Sequence, residues 1–129
     1  MTNRVLIAEP ERDNRLRLSR LVEREGFEPY PADCGAEAVR VVQTIPLDLV
    51  LMELFLPDYS ALELIRTIRL RQCDVPLVVL VETDSKEIRM KVMSAGVFAV
   101  IRKPIVDEIV SFTIHEIFRK FFSQDLNQE

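Results

Sequence analysis

"DLVLMELFLPD", residues 48–58, runs four apolar residues (49–52) into a carboxylate at Glu53 and then straight on to Leu54, Phe55 and Leu56. A strand with one wet face alternates apolar and polar side chains, whereas a strand covered on both faces does not. Apolar residues at successive positions, followed by Pro57 and Asp58, therefore read as a short strand buried on both sides. An acid between two stretches that favour burial has two readings. Either it marks the mouth of a site, or it is a strand-end carboxylate facing water.

Three other runs share this pattern: "RVLIA" (4–8), "PLVVLV" (76–81) and "FAVIR" (98–102). Helical spacing fills the gaps between them. Leu18, Leu21 and Val22 mark a first helix that Gly26 should end as its C-cap glycine. Ala38, Val39 and Val42 follow Gly35; Leu62, Ile65 and Ile68 follow Ser60; Val92 and Ala95 precede Gly96. Val106, Val110, Ile114, Ile117 and Phe121 lie on one face of a last helix and are expected in the core. Strands alternating with helices over short connections imply right-handed crossovers and a parallel sheet between two helical layers. The expected fold is a single (βα)5 doubly wound α/β domain.

The remaining strand, "FEPYPA" (27–32), fixes the strand order. Pro29 and Pro31 are two apart and remove N–H donors from the same side, which only an edge strand tolerates. With strand two at an edge, the order 2-1-3-4-5 follows. The topological switch point then falls between strands one and three, and ligand chemistry should gather near Glu9, Glu53 and Val81.

Composition narrows the function class. The chain has 129 residues, 48% of them hydrophobic, enough for one core without a disulfide or metal staple. Cys34 and Cys73 show no metal-ligand spacing and read as reduced thiols. No secretory leader or membrane-length apolar run is seen, so a cytoplasmic protein without membrane contact is expected. The net charge of −4 argues against nucleic acid. Arg12, Arg15, Arg17, Arg20 and Arg24 are interleaved with Asp13, Glu23 and Glu25 and read as a solvated helix face. Residues 1–122 form the domain, and 123–129 read as a polar tail or the start of a linker.

The blocks "RVLIAEPERDNRLRLSRLVEREGF", "PLDLVLMELFLPDYSALELIRTIR", "VPLVVLVETDSKE" and "MSAGVFAVIRKP" resemble the successive motifs of a CheY-like receiver domain of bacterial two-component response regulators. The resemblance covers residues 4 to about 122 and implies a flavodoxin-like fold. It also implies a set of working parts. These are an acid pair after strand one, a phosphoacceptor Asp ending strand three, and a Ser or Thr after strand four. A switch aromatic in strand five and a Lys–Pro pair, typically cis, complete the set. In that family Mg²⁺ is held by the acids, and the lysine neutralises developing charge on the phosphoryl group.

This chain departs from the pattern at most of those positions. The acid pair falls on Glu9 and Pro10, and the phosphoacceptor on Glu53. The hydroxyl position falls on Val81, or by a one-residue slip on Glu82, with Thr83 further along. The switch aromatic falls on Val100, the usual glycine of the following loop on Ala61, and only Lys103 with Pro104 is retained. Pro10 offers no side-chain oxygen, so a metal would rest on Glu9, Glu53 and the Phe55 carbonyl, a poor octahedral set. Hence no cofactor is expected beyond weak Mg²⁺. The extra methylene of Glu53 moves its oxygens by about 1.5 Å, and misplacement on that scale can cost about 10²-fold in rate. Val81 cannot hydrogen-bond a phosphoryl oxygen.

The resemblance therefore implies a pseudo-receiver, a non-enzymatic module of phosphorelay signal transduction that acts by protein–protein contact. Glu53 and Lys103 would form a permanent pair in place of the phosphoryl group; otherwise Glu53 faces water and pairs weakly. Glu9 is either a pocket member or a helix-start acid. The rival is an active receiver that takes a phosphoryl group from a histidine kinase with Mg²⁺, on Glu53 or Asp58. A flavin or nucleotide binder is disfavoured because "AEPERDN" lacks a glycine-rich turn. The expected partner is a signalling protein or output domain. Homodimerisation through helix four, strand five and helix five is a further expectation, with Ile88, Ile109 and Phe112 as the candidate face. The alternative is that this wide stripe only marks a well-buried helix. His115 is expected to be exposed.

Overall fold

The computed structural model describes residues 3–121. Its elements follow in strict alternation: β1 (Arg4–Ala8), α1 (Arg12–Arg24), β2 (Glu28–Ala32), α2 (Gly35–Thr44), β3 (Leu49–Glu53), α3 (Ala61–Arg71), β4 (Leu77–Val81), α4 (Lys86–Ser94), β5 (Ala99–Arg102) and α5 (Asp107–Phe121). All strand pairs are parallel, in the order β2-β1-β3-β4-β5. The expected doubly wound fold and strand order are both present.

β3 and β4 are buried at every position, which explains their unbroken apolar sequences. Alternate residues feed two cores. Leu6, Val50, Met52 and Val79 meet α2, α3 and α4 on one face. Val5, Ile7, Leu49, Leu51, Val78 and Leu80 meet α1 and α5 on the other. β2 pairs with β1 alone. The Glu28 N–H donates to the Asn3 carbonyl (2.8 Å) and the Ala32 carbonyl accepts from Glu9 N–H (2.9 Å), so even-numbered positions face β1 and both prolines face outward.

Local chemistry sets the boundaries. Gly26 and Gly96 follow α1 and α4 with φ of +89° and +86°, the left-handed region that a side chain would resist. Ser60 and Glu63 form a reciprocal capping box at the start of α3, and the Ser85 hydroxyl caps α4.

Two expectations for the last helix need correction. Val106 and Phe121 are not core residues; they are 39% and 43% exposed. Val106 precedes the helix, and Ile105 occupies the buried place instead. Fifteen helical residues reach about 22 Å, whereas the four residues of β5 cover only about 13 Å. Phe121 therefore lies beyond the sheet, its ring edge-on to Phe98. On α3, Leu62 also turns outward, and Leu64 packs with Ile65 and Ile68. Phe122 and residues 123–129 lie outside the described residues.

Candidate functional site

The C-terminal ends of β1, β3 and β5 converge on one buried ionic cluster. Glu9 directly follows β1 and has no exposed surface; Glu53 ends β3 and is 3% exposed. Lys103 follows β5, with its side chain 8% exposed. Its ammonium lies 2.5 Å from Glu9 Oε1 and also donates a hydrogen bond to Glu53 Oε1. The Glu9 Oε1 contact lacks hydrogen-bond alignment and that oxygen has no other partner, so it is held by charge.

The outer oxygens are fixed locally by the same device. Glu9 Oε2 accepts from Glu11 N–H and Glu53 Oε2 from Phe55 N–H, each at 3.0 Å and each two residues downstream. Both glutamates thus fold back on their own loops while presenting one oxygen to Lys103. On the other side, Lys103 N–H donates to the Val81 carbonyl (2.8 Å), and the Lys103–Pro104 peptide is cis.

Burial is the largest single influence on the ammonium and pulls its pKa down. The hydrogen bond to Glu53, the close contact with Glu9 and the negative charges of both outweigh it, and the Lys103 pKa lies above that of an ordinary lysine. The lysine is therefore charged at neutral pH. Two buried carboxylates share it.

The other sequence-predicted residues divide into lining and surface groups. Val81 is fully buried; Glu82 and Thr83, the alternatives considered for its role, are exposed. Val100 is half-buried against the α2–α4 core. Pro10 and Pro104 are exposed at the rim. Asp58, the rival acceptor, is committed elsewhere: its carboxylate accepts from Gly35 N–H (2.7 Å) and Ala36 N–H (2.9 Å), capping α2. The Ala36 bond is the leading cause that holds its pKa below the usual Asp value, partly offset by desolvation. Ile109 and Phe112 are exposed, at 52% and 66%, but Ile88 is half-buried against the α2–α4 core and does not share that exposure.

Three features were not anticipated from the sequence. Arg15 donates to the carbonyls of Glu9 (2.9 Å) and Pro10 (3.1 Å), bringing a guanidinium to the loop where the family places a second acid. Its place one turn into α1 was a usable signal, but the arginine-rich helix concealed it. Glu25 bridges α1 to α5 through Ser111 Oγ (2.5 Å) and His115 Nε2 (2.7 Å). His115 is exposed as expected but paired. Tyr59 lies over Gly35, where a Cβ would come within 2.4 Å of its ring. Among the described residues, no group of three or more His, Cys, Asp or Glu side chains is gathered as for a metal ion.

The profile of the response regulator receiver domain matches residues 5–113. The chain belongs to that family. This two-component receiver domain is 27% identical over 117 residues to the cell cycle transcriptional regulator CtrA of Caulobacter vibrioides, covering 91% of this chain and 51% of that protein. The cell cycle response regulator CtrA of Brucella ovis gives the same identity, with 91% and 50% covered. The chain thus spans about half the length of the curated relatives it matches.

Solved receivers share the fold. The CheY-like receiver domain protein of Methanospirillum hungatei superposes with a TM-score of 0.87 at 22% identity, covering 93% of this chain and 96% of its own. The signal receiver domain of a putative LuxO repressor protein from Vibrio parahaemolyticus gives 0.90 at 17% identity, covering 100% and 99%. Receiver domains of two-component systems work with kinases or output domains, and this chain is a signalling module of that class. No helix among the described residues is long and apolar enough to cross a membrane.

Proposed function

We propose that this receiver is a pseudo-receiver, a signalling module that acts by protein–protein contact without a phosphorylation switch. The observation that carries the reading is the Lys103 ammonium held between the buried carboxylates of Glu9 and Glu53. In a working receiver the lysine meets an incoming phosphoryl group; here its contacts are already made. Glu53 stands at the acceptor position as an internal substitute, with about one negative charge against the roughly 1.5–2 of a phosphoryl group.

The donor set supports the same reading. Pro10 supplies no side-chain oxygen, Glu9 and Glu53 each give one oxygen to a backbone N–H, and their other oxygens face the ammonium. Mg²⁺ needs near-octahedral oxygen ligation and would have to displace a lysine that neutralises the same carboxylates. The residues do not fit that ion, and no cofactor is assigned. Nucleic acid is not a partner of this domain, given its net charge of −4. The partner is a signalling protein or an output domain. Ile109 and Phe112 on α5 supply an exposed apolar face for it, or for homodimerisation across α4, β5 and α5.

Titration with Mg²⁺ and beryllofluoride, followed by amide NMR, tests the reading. The expected result is no saturable response. Saturable shifts centred on Glu53 and Lys103 overturn it and return the domain to the active receivers. The triple variant Glu53→Asp, Pro10→Asp, Val81→Thr should gain a Mg²⁺-dependent response, because it supplies the shorter acceptor, the second acid and the hydroxyl together.

A further inference from the structure

Beside the ionic cluster the β3–α3 loop borders an apolar groove that the pocket does not use. Leu54 and Val92 form its floor; Phe55, Leu62 and Ile88 form its walls. Its volume is about 320 Å³, at the small end of ligand-sized clefts. Phe55 is 68% exposed and Leu62 41%, so the rim presents apolar surface to water. Lys91 is the one charged side chain lining the groove, and it has no ion-pair or hydrogen-bond partner among the described residues.

The groove is held open by fixed parts. The Phe55 N–H is tied to Glu53 Oε2, and Phe55 pairs with Ser60 in an antiparallel bridge. Ser60 and Ser85 cap the two helices that flank it. Lower down, Arg69 of α3 donates to the carbonyls of Val75 and of Gly96, which follows α4. A preformed site of this kind costs little ordering on binding.

We propose that this groove docks an amphipathic helix of a partner protein, through a bulky apolar side chain among Leu54, Phe55, Ile88 and Val92 and a carboxylate on Lys91. Charge complementarity selects the occupant. A lone ammonium at the edge of an apolar cleft favours an acidic helix and repels a basic one. Groove-to-groove contact between two copies would bring two Lys91 ammoniums into one apolar interface, so a second copy fits worse. The inference rests on the locked-pocket reading in one respect: a permanently engaged Glu53 keeps the Phe55 backbone, and so the groove, in a single form.

The test uses two short helix-forming peptides with the same Leu/Phe stripe, one flanked by Glu and one by Lys, titrated into the full chain and followed by amide NMR. The Glu peptide should bind about tenfold tighter, roughly the worth of one good polar contact, with shifts at Phe55, Ile88 and Lys91. Lys91→Glu should reverse the order of the two peptides. Phe55→Ala should weaken both while leaving the fold intact, since the side chain is exposed; circular dichroism checks this. The proposal is overturned by any of four results: binding of neither peptide, equal binding that Lys91→Glu leaves unchanged, shifts confined to Ile109 and Phe112, or self-association that Phe55→Ala abolishes. A beryllofluoride response with peptide selectivity intact removes the locked pocket and leaves the groove. A silent pocket without selectivity removes the groove alone.

Discussion

Lys103 carries the burden at the residue scale, since one ammonium offsets two carboxylates that are 0% and 3% exposed. Removing one member of a buried ionic group leaves the rest uncompensated and typically costs about 3–5 kcal/mol. Lys103→Met should therefore lower stability by that amount at neutral pH, measured by urea denaturation. The lysine's own contribution depends on pH. Its folded pKa is raised, so its stabilisation is complete below the pKa of an unfolded lysine and fades as pH rises through the folded value. A Met variant as stable as the parent to urea at neutral pH would contradict this account. The carboxylate of Glu53 is thus a strand-end acid whose water has been replaced by a lysine.

At the element scale, the β3–α3 connection does more than join a strand to a helix. Its near end is fixed by Glu53 and its far end by Asp58, which caps α2, while Tyr59 covers Gly35. Gly35 has no left-handed backbone; it is small because the Tyr59 ring comes too close for a Cβ. Gly35→Ala should cost about 1–3 kcal/mol by overpacking, and the cost should fall sharply in a Tyr59→Ala background. A double-mutant cycle read by thermal unfolding measures that coupling. α1 and α5 are joined by a different device, polar links from Asp107 to Arg17 (2.9 Å) and Arg24 (3.1 Å), and from Glu25 to Ser111 and His115. The Ser111 hydrogen bond, followed by that of His115, holds the Glu25 pKa below the usual Glu value. That link is fully formed above the ordinary Glu range and is lost as pH falls through the depressed value.

At the scale of the whole molecule, the sheet has two edges, and β2 protects one by composition. Pro29 and Pro31 face outward and offer no N–H to a neighbouring chain, as their spacing in the sequence indicates. Pro29→Val with Pro31→Val should retain the strand order but restore two outward donors. The expected outcome is increased self-association at high concentration, seen by light scattering. An equally monodisperse double variant would show that edge protection lies elsewhere. The ends of β1, β3 and β5 meet because parallel strands place all their C-termini on one side. The sheet therefore brings together residues 9, 53 and 103, which no local interaction could join.

Strand order, the β2 edge and the three pocket positions were legible in the sequence, because each rests on period, proline chemistry or a motif at fixed spacing. The sequence also determined which chemical groups the pocket lacks: proline has no carboxylate at position 10 and valine no hydroxyl at position 81, whatever the fold. Tertiary structure alone decided how the remaining groups are used. Only there does Lys103 lie between two glutamates, Asp58 commit itself to α2, Arg15 reach the Glu9 and Pro10 carbonyls, and Val106 and Phe121 turn outward past the short β5. Hydrogen bonds and ion pairs are set by distances of a few ångströms between segments remote in the chain. A periodic pattern specifies which face of an element is apolar, but not which polar tips meet where those faces pack.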